Sequence, residues 1–243
     1  MKHQYFGDVN DYRKYGLLRC LIEATGLTLG VAWWLTSDDE RTDGEFRGYL
    51  QRPELWRRFD PVLFDRLSGL LDPATLRHTS LARRWDLLPG GVYHDALVED
   101  ARPIRLSHVE KVGRELSNCS LVFLDPDNGI EVRSVPLGGK NSSKYVYWQE
   151  IEELFHRGHS LVIYQHYPRI SRDVFEASLL NGLQTRLGKA RLALFSTAHV
   201  VFALALQPEH AAHLDLAAAK VGARWSGQIR ISRSGFRDEA PAT

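Results

Sequence analysis

Cysteine is scarce in this chain: Cys20 and Cys119 are the only two in 243 residues, both beside apolar runs and with no CxxC spacing. That excludes a disulfide framework and a cysteine zinc site, and both thiols read as buried and reduced. No apolar run approaches the roughly 20 residues that a membrane crossing needs. Charge of one sign is also lacking, since 31 Lys and Arg stand against 30 Asp and Glu, a formal net charge of +1. A histone-like or polybasic coat is thereby excluded, although a local basic face fits inside a neutral total. The ten histidines form no HExxH or paired zinc spacing. The opening segment MKHQYFGDVNDYRKYG carries acids and lacks the charged-then-apolar layout of a signal peptide, so a cytoplasmic protein without a membrane partner is the expectation.

With 44% hydrophobic and 25% charged residues, the composition is that of an ordinary globular protein. No linker-like stretch divides the chain. The expectation is one α/β domain over residues 1–243, with a helical insertion at about 38–90 and a frayed tail, RDEAPAT. DYRKYGLLRCLIEATG has helical spacing, with Asp11 near its start and Gly26 after its end. TLGVAWWLT, SLVFLD and SLVIYQH are short apolar runs that read as buried strands. Helical patterns in VEKVGRELSNC and WQEIEELFHRG precede the last two, and VFEASLLNGLQTRLG follows them. ARLALFST and VVFALALQ read as a further pair of strands, HAAHLDLAAAKVGA as a helix, and WSGQIRISRS as the end of the sheet.

Helix and strand alternate, and strands apolar on both faces suit a mostly parallel sheet covered by helices, a doubly wound α/β fold. In such sheets ligands bind beyond the carboxyl ends of the strands. There LVFLDPDNGIE brings Asp125, Pro126, Asp127 and Asn128 out together, because Pro126 stops the strand. The same residues are also common in a turn that merely leaves a strand.

Asp125-Pro126 behind an apolar strand resembles the start of the Asp-Pro-Pro-Tyr motif of adenine-N6 amino-methyltransferases. GDVNDYRKY resembles the Gly-Asn-x-x-Asp-x-x-Lys-His segment that opens the large-subunit (23S) ribosomal RNA adenine-N6 methyltransferases. Gly7, Asp11 and Lys14 match identically, Asp8 replaces Asn, and Tyr15 replaces His. SLVIYQHYPR stands where that family has an apolar strand ending in Trp-Tyr-Pro, with Tyr167 and Pro168 retained and His166 in place of Trp.

The resemblance implies a Rossmann-like methyltransferase-type domain that uses S-adenosylmethionine, with nucleic acid, RNA or DNA, as partner. Asp125 and the Pro126 carbonyl would orient an adenine amine, with Asp127 and Asn128 in the same catalytic turn. Gly7, Asp8, Asp11, Lys14 and Tyr15 would belong to the cofactor side, and His166 and Tyr167 to the substrate side; by their place in the chain, Glu131, Lys140 and Lys144 in the loop after Asp125 and Arg169 beside His166 are further substrate-side candidates. The chain departs from the family in two places: LTSDDERTDGE has only Gly44 where a glycine-rich cofactor loop is expected, and Asn128 stands at the aromatic stacking position.

Lys14 has a second reading as a solvated helix lysine, and His166 one as a satisfied core histidine. GGKNSSKY reads either as a lid or as a surface connection. Arg52, Arg57, Arg58, Arg83, Arg84, Arg102 and Arg105, with Trp56 and Trp85 interleaved, read as nucleic-acid contacts or as helix-surface salt pairs. Two other functions fit the sequence. One is a nuclease or phosphodiesterase in which Asp125, Asp127 and Glu131 hold Mg²⁺ and Lys140 or Lys144 steadies the phosphate. The other is a non-catalytic binding module whose cofactor loop has decayed.

Overall fold

The structure, a computed structural model, describes residues 1–39, 44–70 and 76–233. The expected tail lies outside these residues, as does part of the expected cofactor loop, residues 40–43.

Helix α1 spans Val9–Thr25. Asp8 caps it by accepting the backbone N–H of Asn10 and Asp11, both at 2.8 Å, and Gly26 ends it at φ 69°, a left-handed conformation that glycine adopts without strain. After strand β1 (Leu29–Ala32), the described residues form the short helices α2 (Pro53–Trp56), α3 (Pro61–Leu70) and α4 (Ser80–Arg84), in the region expected to be a helical insertion. Then follow β2 (Val92–His94), α5 (Arg102–Glu115), β3 (Leu121–Leu124), β4 (Gly129–Ile130), β5 (Tyr145–Val146), α6 (Trp148–His156) and β6 (Ser160–His166). Helix α7 (Arg172–Leu187), β7 (Arg191–Ser196), β8 (Val200–Leu206), α8 (His213–Trp225) and β9 (Arg230–Arg233) complete the order.

Seven strands form one sheet in the order β2-β1-β3-β6-β8-β7-β9. From β2 to β6 all neighbours are parallel, β8 runs against both β6 and β7, and β9 runs against β7. The three strands expected to be neighbours, β1, β3 and β6, lie side by side and parallel. Strand β2 escaped the sequence reading because it is three residues long and has no apolar run. It is an edge strand, with Val92 exposed and His94 buried.

Helices cover both faces, as a doubly wound fold requires. Val31, Phe123, Val162 and Phe202 point to one core, closed by α1, α3 and α8, while Val122, Leu124, Ile163 and Ala203 point to the other, closed by α5, α6 and α7. The approach of α1 to α8 depends on Gly16, where a Cβ would collide with the Trp225 ring. Helix α1 is not a half-wetted surface helix, since Asp11, Arg13, Lys14 and Arg19 are all buried. Each finds a partner, as buried charges must. Arg13 donates to Gln228 at 2.8 Å and Arg19 to Asp60 at 2.7 Å.

On the second face, Arg105 is fully buried and donates to Glu150 at 2.6 and 2.8 Å and to the Ser142 carbonyl at 3.1 Å. This fastens α5 to α6 and to the GGKNSSKY segment. Asp100 accepts from the backbone of Asn141 and Ser143 at 2.9 and 2.7 Å, so the segment is tied to the body of the protein rather than hanging free. Among the other arginines singled out in the sequence, Arg57 pairs with Asp65 and Arg83 lies near Asp95. Among the described residues, no helix is long and apolar enough to cross a membrane.

Candidate functional site

A cavity of ≈ 420 Å³ opens at the carboxyl ends of β3 and β6, in the size range of pockets that enclose one small ligand. Its position follows from the sheet. Strand β3 delivers Asp125, Pro126 stops the strand, and the turn through Asn128 leads into β4, which pairs with β5. Gly129 makes this turn possible: its φ is +98°, and a Cβ there would run into the Gln165 side chain, which accepts the Ile130 N–H at 2.6 Å. The β4–β5 pairing also brings Lys144 to the cavity, its carbonyl accepting the Asn128 N–H at 2.8 Å.

From the other side comes the start of α1. Lys14 Nζ lies 2.7 Å from Asp125 Oδ2 and 2.6 Å from Asp11 Oδ1, with all three side chains buried. Asp11 is saturated, since its Oδ2 accepts the Gly7 N–H at 2.9 Å and the Tyr15 hydroxyl at 3.1 Å. Gly7 and Tyr15 therefore act behind the cavity wall, holding Asp11. Asp125 differs: Lys14 takes its Oδ2, and among the described residues no hydrogen bond engages its Oδ1. Burial pushes the Asp125 carboxyl up, while Lys14 and the Met1 ammonium pull against that shift. Burial by itself would lower Lys14, but Asp11 and Asp125 outweigh it and hold the lysine above its ordinary value. Lys14 is thus a buried, charged clamp and not a solvated lysine.

Asp127 is also buried. Its Oδ1 has no hydrogen-bond partner, with the Met1 ammonium 3.7 Å away, and its Oδ2 has Thr36 Oγ1 at 3.4 Å and Lys2 Nζ at 3.8 Å. Asn10 Oδ1, on the same cavity, is a second buried acceptor without a partner. Such orphaned acceptors are rare in native interiors and suit a ligand that brings donors. Asp8 keeps one oxygen for its cap, and burial, followed by repulsion from Asp11, pushes its carboxyl up to about 7. An acid so poised is able to exchange a proton near neutrality.

The structure brings Asp8, Asp11, Lys14, Asp125, Pro126, Asp127, Asn128, Lys144 and His166 onto one cavity. Four other candidates lie elsewhere. Glu131 accepts the Trp148 N–H at 2.9 Å, Tyr167 bonds to Glu176, and Lys140 and Arg169 are exposed on other surfaces. His166 stands at the cavity mouth, not in the core. Lys2, Tyr5, Asn10, Phe46 and Tyr164 line the cavity without having been singled out in the sequence. Of these, Tyr164 carried a signal, since it lies two residues before His166 on a strand and so shares its face.

Beyond β1 the chain makes its positive-φ turn not with glycine but with buried Trp34, at φ 48°. Met1 fills the crevice there, its ammonium donating to the Trp34 carbonyl at 3.2 Å and its carbonyl accepting the Thr36 N–H at 2.9 Å. Among the described residues, no three His, Cys, Asp or Glu side chains converge as a metal ion would need, and Glu131 does not join Asp125 and Asp127. No family model matches the chain, and no curated protein or solved structure matches it.

Proposed function

We propose that the chain is a methyltransferase that uses S-adenosylmethionine to methylate an exocyclic amine of a nucleic-acid base, adenine N6 being the amine its motifs resemble most. One observation carries this reading: Asp125, at the end of β3 in a cavity of ≈ 420 Å³, keeps an oxygen without a protein hydrogen bond while Lys14 holds the other. A carboxylate clamped in this way stays an acceptor and cannot swing away from an incoming amine.

Asp125 Oδ1 accepts one amine N–H and the Pro126 carbonyl the other, which leaves the nitrogen lone pair directed out of the base plane. The cofactor, when bound, would supply an electrophilic methyl on a sulfonium, and what this chain's residues would do is hold and orient the amine that receives it and take up the proton the amine loses. Asp8, poised near neutrality in the same cavity, takes up that proton directly or through water.

The donor set suits such a cofactor. Asp127 and Asn10 are acceptors for an amino group and ribose hydroxyls. With Met1 in the crevice beyond β1, these residues, and not a glycine loop, would hold it.

The test is transfer of labelled methyl from S-adenosylmethionine to a pool of RNA and DNA oligonucleotides, with thermal stabilisation by S-adenosylhomocysteine alongside. Asp125→Asn is expected to lower transfer on the order of 10² or more while retaining a cooperative melt. No transfer to any oligonucleotide, together with no stabilisation by either form of the cofactor, overturns the reading.

A further inference from the structure

We propose that the carboxyl edge of the sheet binds a single nucleic-acid strand at two places. An unstacked base lies against Phe46 in the cavity, and a flanking phosphate lies between Arg172 and Arg230 in a separate cleft. The base half rests on the function proposed above, and the strand half stands on its own observations.

Phe46 lines the cavity with 72% of its surface exposed. Among the described residues no aromatic ring pairs with it, so it does not belong to the aromatic core built from Tyr12, Tyr49, Trp56 and Phe64. Its backbone is nonetheless fixed, because the Phe46 carbonyl accepts the Val9 N–H at 3.0 Å, at the start of α1. A planar apolar face held at the mouth of a polar cavity is a platform on which any base can stack. It supplies the aromatic plate that Asn128, in the turn itself, does not.

The second cleft, of ≈ 300 Å³, is lined by Tyr167, Arg172, Ser196, Thr197, Gln228 and Arg230. Strand directions put it on the same edge of the sheet: β6 and β7 both end there, and β9 begins there. Strand β7 lies two positions from β6, about 10 Å at the usual spacing, which a short stretch of phosphodiester backbone covers.

The chemistry of the cleft suits a phosphate. Arg172 donates to the Ala198 carbonyl at 2.5 Å and lies over the Tyr167 ring, yet among the described residues no carboxylate pairs with it. Arg230 spends one nitrogen on buried Glu176 at 2.8 Å and stays half exposed. Glu176 also accepts from Ser196 at 2.7 Å and from Tyr167, so it fixes the walls of the cleft without turning towards its opening. Two guanidiniums with unused N–H groups in one cleft form a fork for phosphate oxygens. In a chain of net charge +1, this local pair does what overall charge cannot.

The experiment measures binding of fluorescent single-stranded oligoadenylate, and separately of AMP, over a series of salt concentrations. Phe46→Ala is expected to weaken both about tenfold or more with an unchanged salt slope, and Phe46→Trp to restore them. Arg172→Gln is expected to reduce the dependence of log K on log salt by about 0.7 for the oligonucleotide and to leave AMP untouched. Arg230→Gln should act in the same way, and its melting temperature separates a lost phosphate contact from a disturbed Glu176. An unchanged salt slope in both arginine variants overturns the strand site, and an unchanged AMP affinity in Phe46→Ala overturns the stacking site. Strand binding with neither methyl transfer nor stabilisation by S-adenosylhomocysteine keeps the strand site and overturns the proposed function, so the two failures are told apart.

Discussion

Lys14 Nζ and Asp125 Oδ2 meet at 2.7 Å across 111 residues of sequence, and the same ammonium holds Asp11 Oδ1 at 2.6 Å. One cation therefore serves two buried carboxylates. Removing it takes from both carboxylates their nearest cation in a largely buried site. Lys14→Met is expected to cost about 3–5 kcal/mol in urea unfolding. Lys14→Met combined with Asp125→Asn should cost less than the sum of the two single changes, because the second relieves the charge that the first strands. Strict additivity would mean that the pair is not coupled.

Asp8 yields a prediction about pH. Its folded carboxyl lies at about 7, pushed up mainly by burial, against an ordinary value of 3.8. A raised carboxyl favours the protonated form in the fold. The stability it contributes is therefore present below about pH 3.8 and lost as pH rises towards 7. Asp8→Asn keeps a competent helix cap and removes the titration. Melting temperatures from pH 4 to 8 should show the variant gaining on the wild type as pH rises, by on the order of 3 kcal/mol at pH 8. Parallel curves would show that Asp8 does not titrate in that window.

Gly129 and Gly158 form a matched pair, with φ +98° and +93°. At Gly158 a Cβ meets nothing within 4 Å, whereas at Gly129 it collides with Gln165. Alanine at 158 is expected to cost about 1 kcal/mol through the backbone alone. At 129 it should cost more and also weaken ligand binding, because the displaced Gln165 no longer fixes the turn that carries Asp125 to Asn128. Calorimetry of both variants with and without S-adenosylhomocysteine is the measurement. Equal losses in the two would leave Gln165 without a role in the turn.

The central strands were legible in the sequence because LGVA, LVFL and SLVIYQH are buried on nearly every residue, which leaves an apolar run and turn residues at its end. The edge strand β2 and the small β4–β5 pair were not, since strands of two or three residues leave no periodic signal. Asp125 to Asn128 could be singled out because a proline after an apolar strand marks where a chain leaves a sheet.

Lys14 was harder. A helix such as α1, whose polar residues point inward to Asp125, Gln228 and Asp60, shows no polar face from which burial can be read. Glu131 stood close in sequence to Asp125, yet the chain turns through β4 and directs it to Trp148. Phe46 had no signal of its own, because an exposed phenylalanine in a charged stretch looks the same whether or not it faces a cavity.

The Lys14–Asp125 contact also sets when the cavity exists at all. Its walls come from residues 1–14, 44–46, 125–128, 144 and 164–166, stretches with no cavity between them until the sheet has brought β1, β3 and β6 together. During synthesis a nascent chain carries Lys14 early and meets Asp125 only after more than a hundred further residues. Until β6 has been made and docked, there is nothing for a ligand to bind, and binding free energy contributes only after that step. A small molecule that rescues a destabilised variant through this cavity would therefore act only once the chain has been made at least as far as β6.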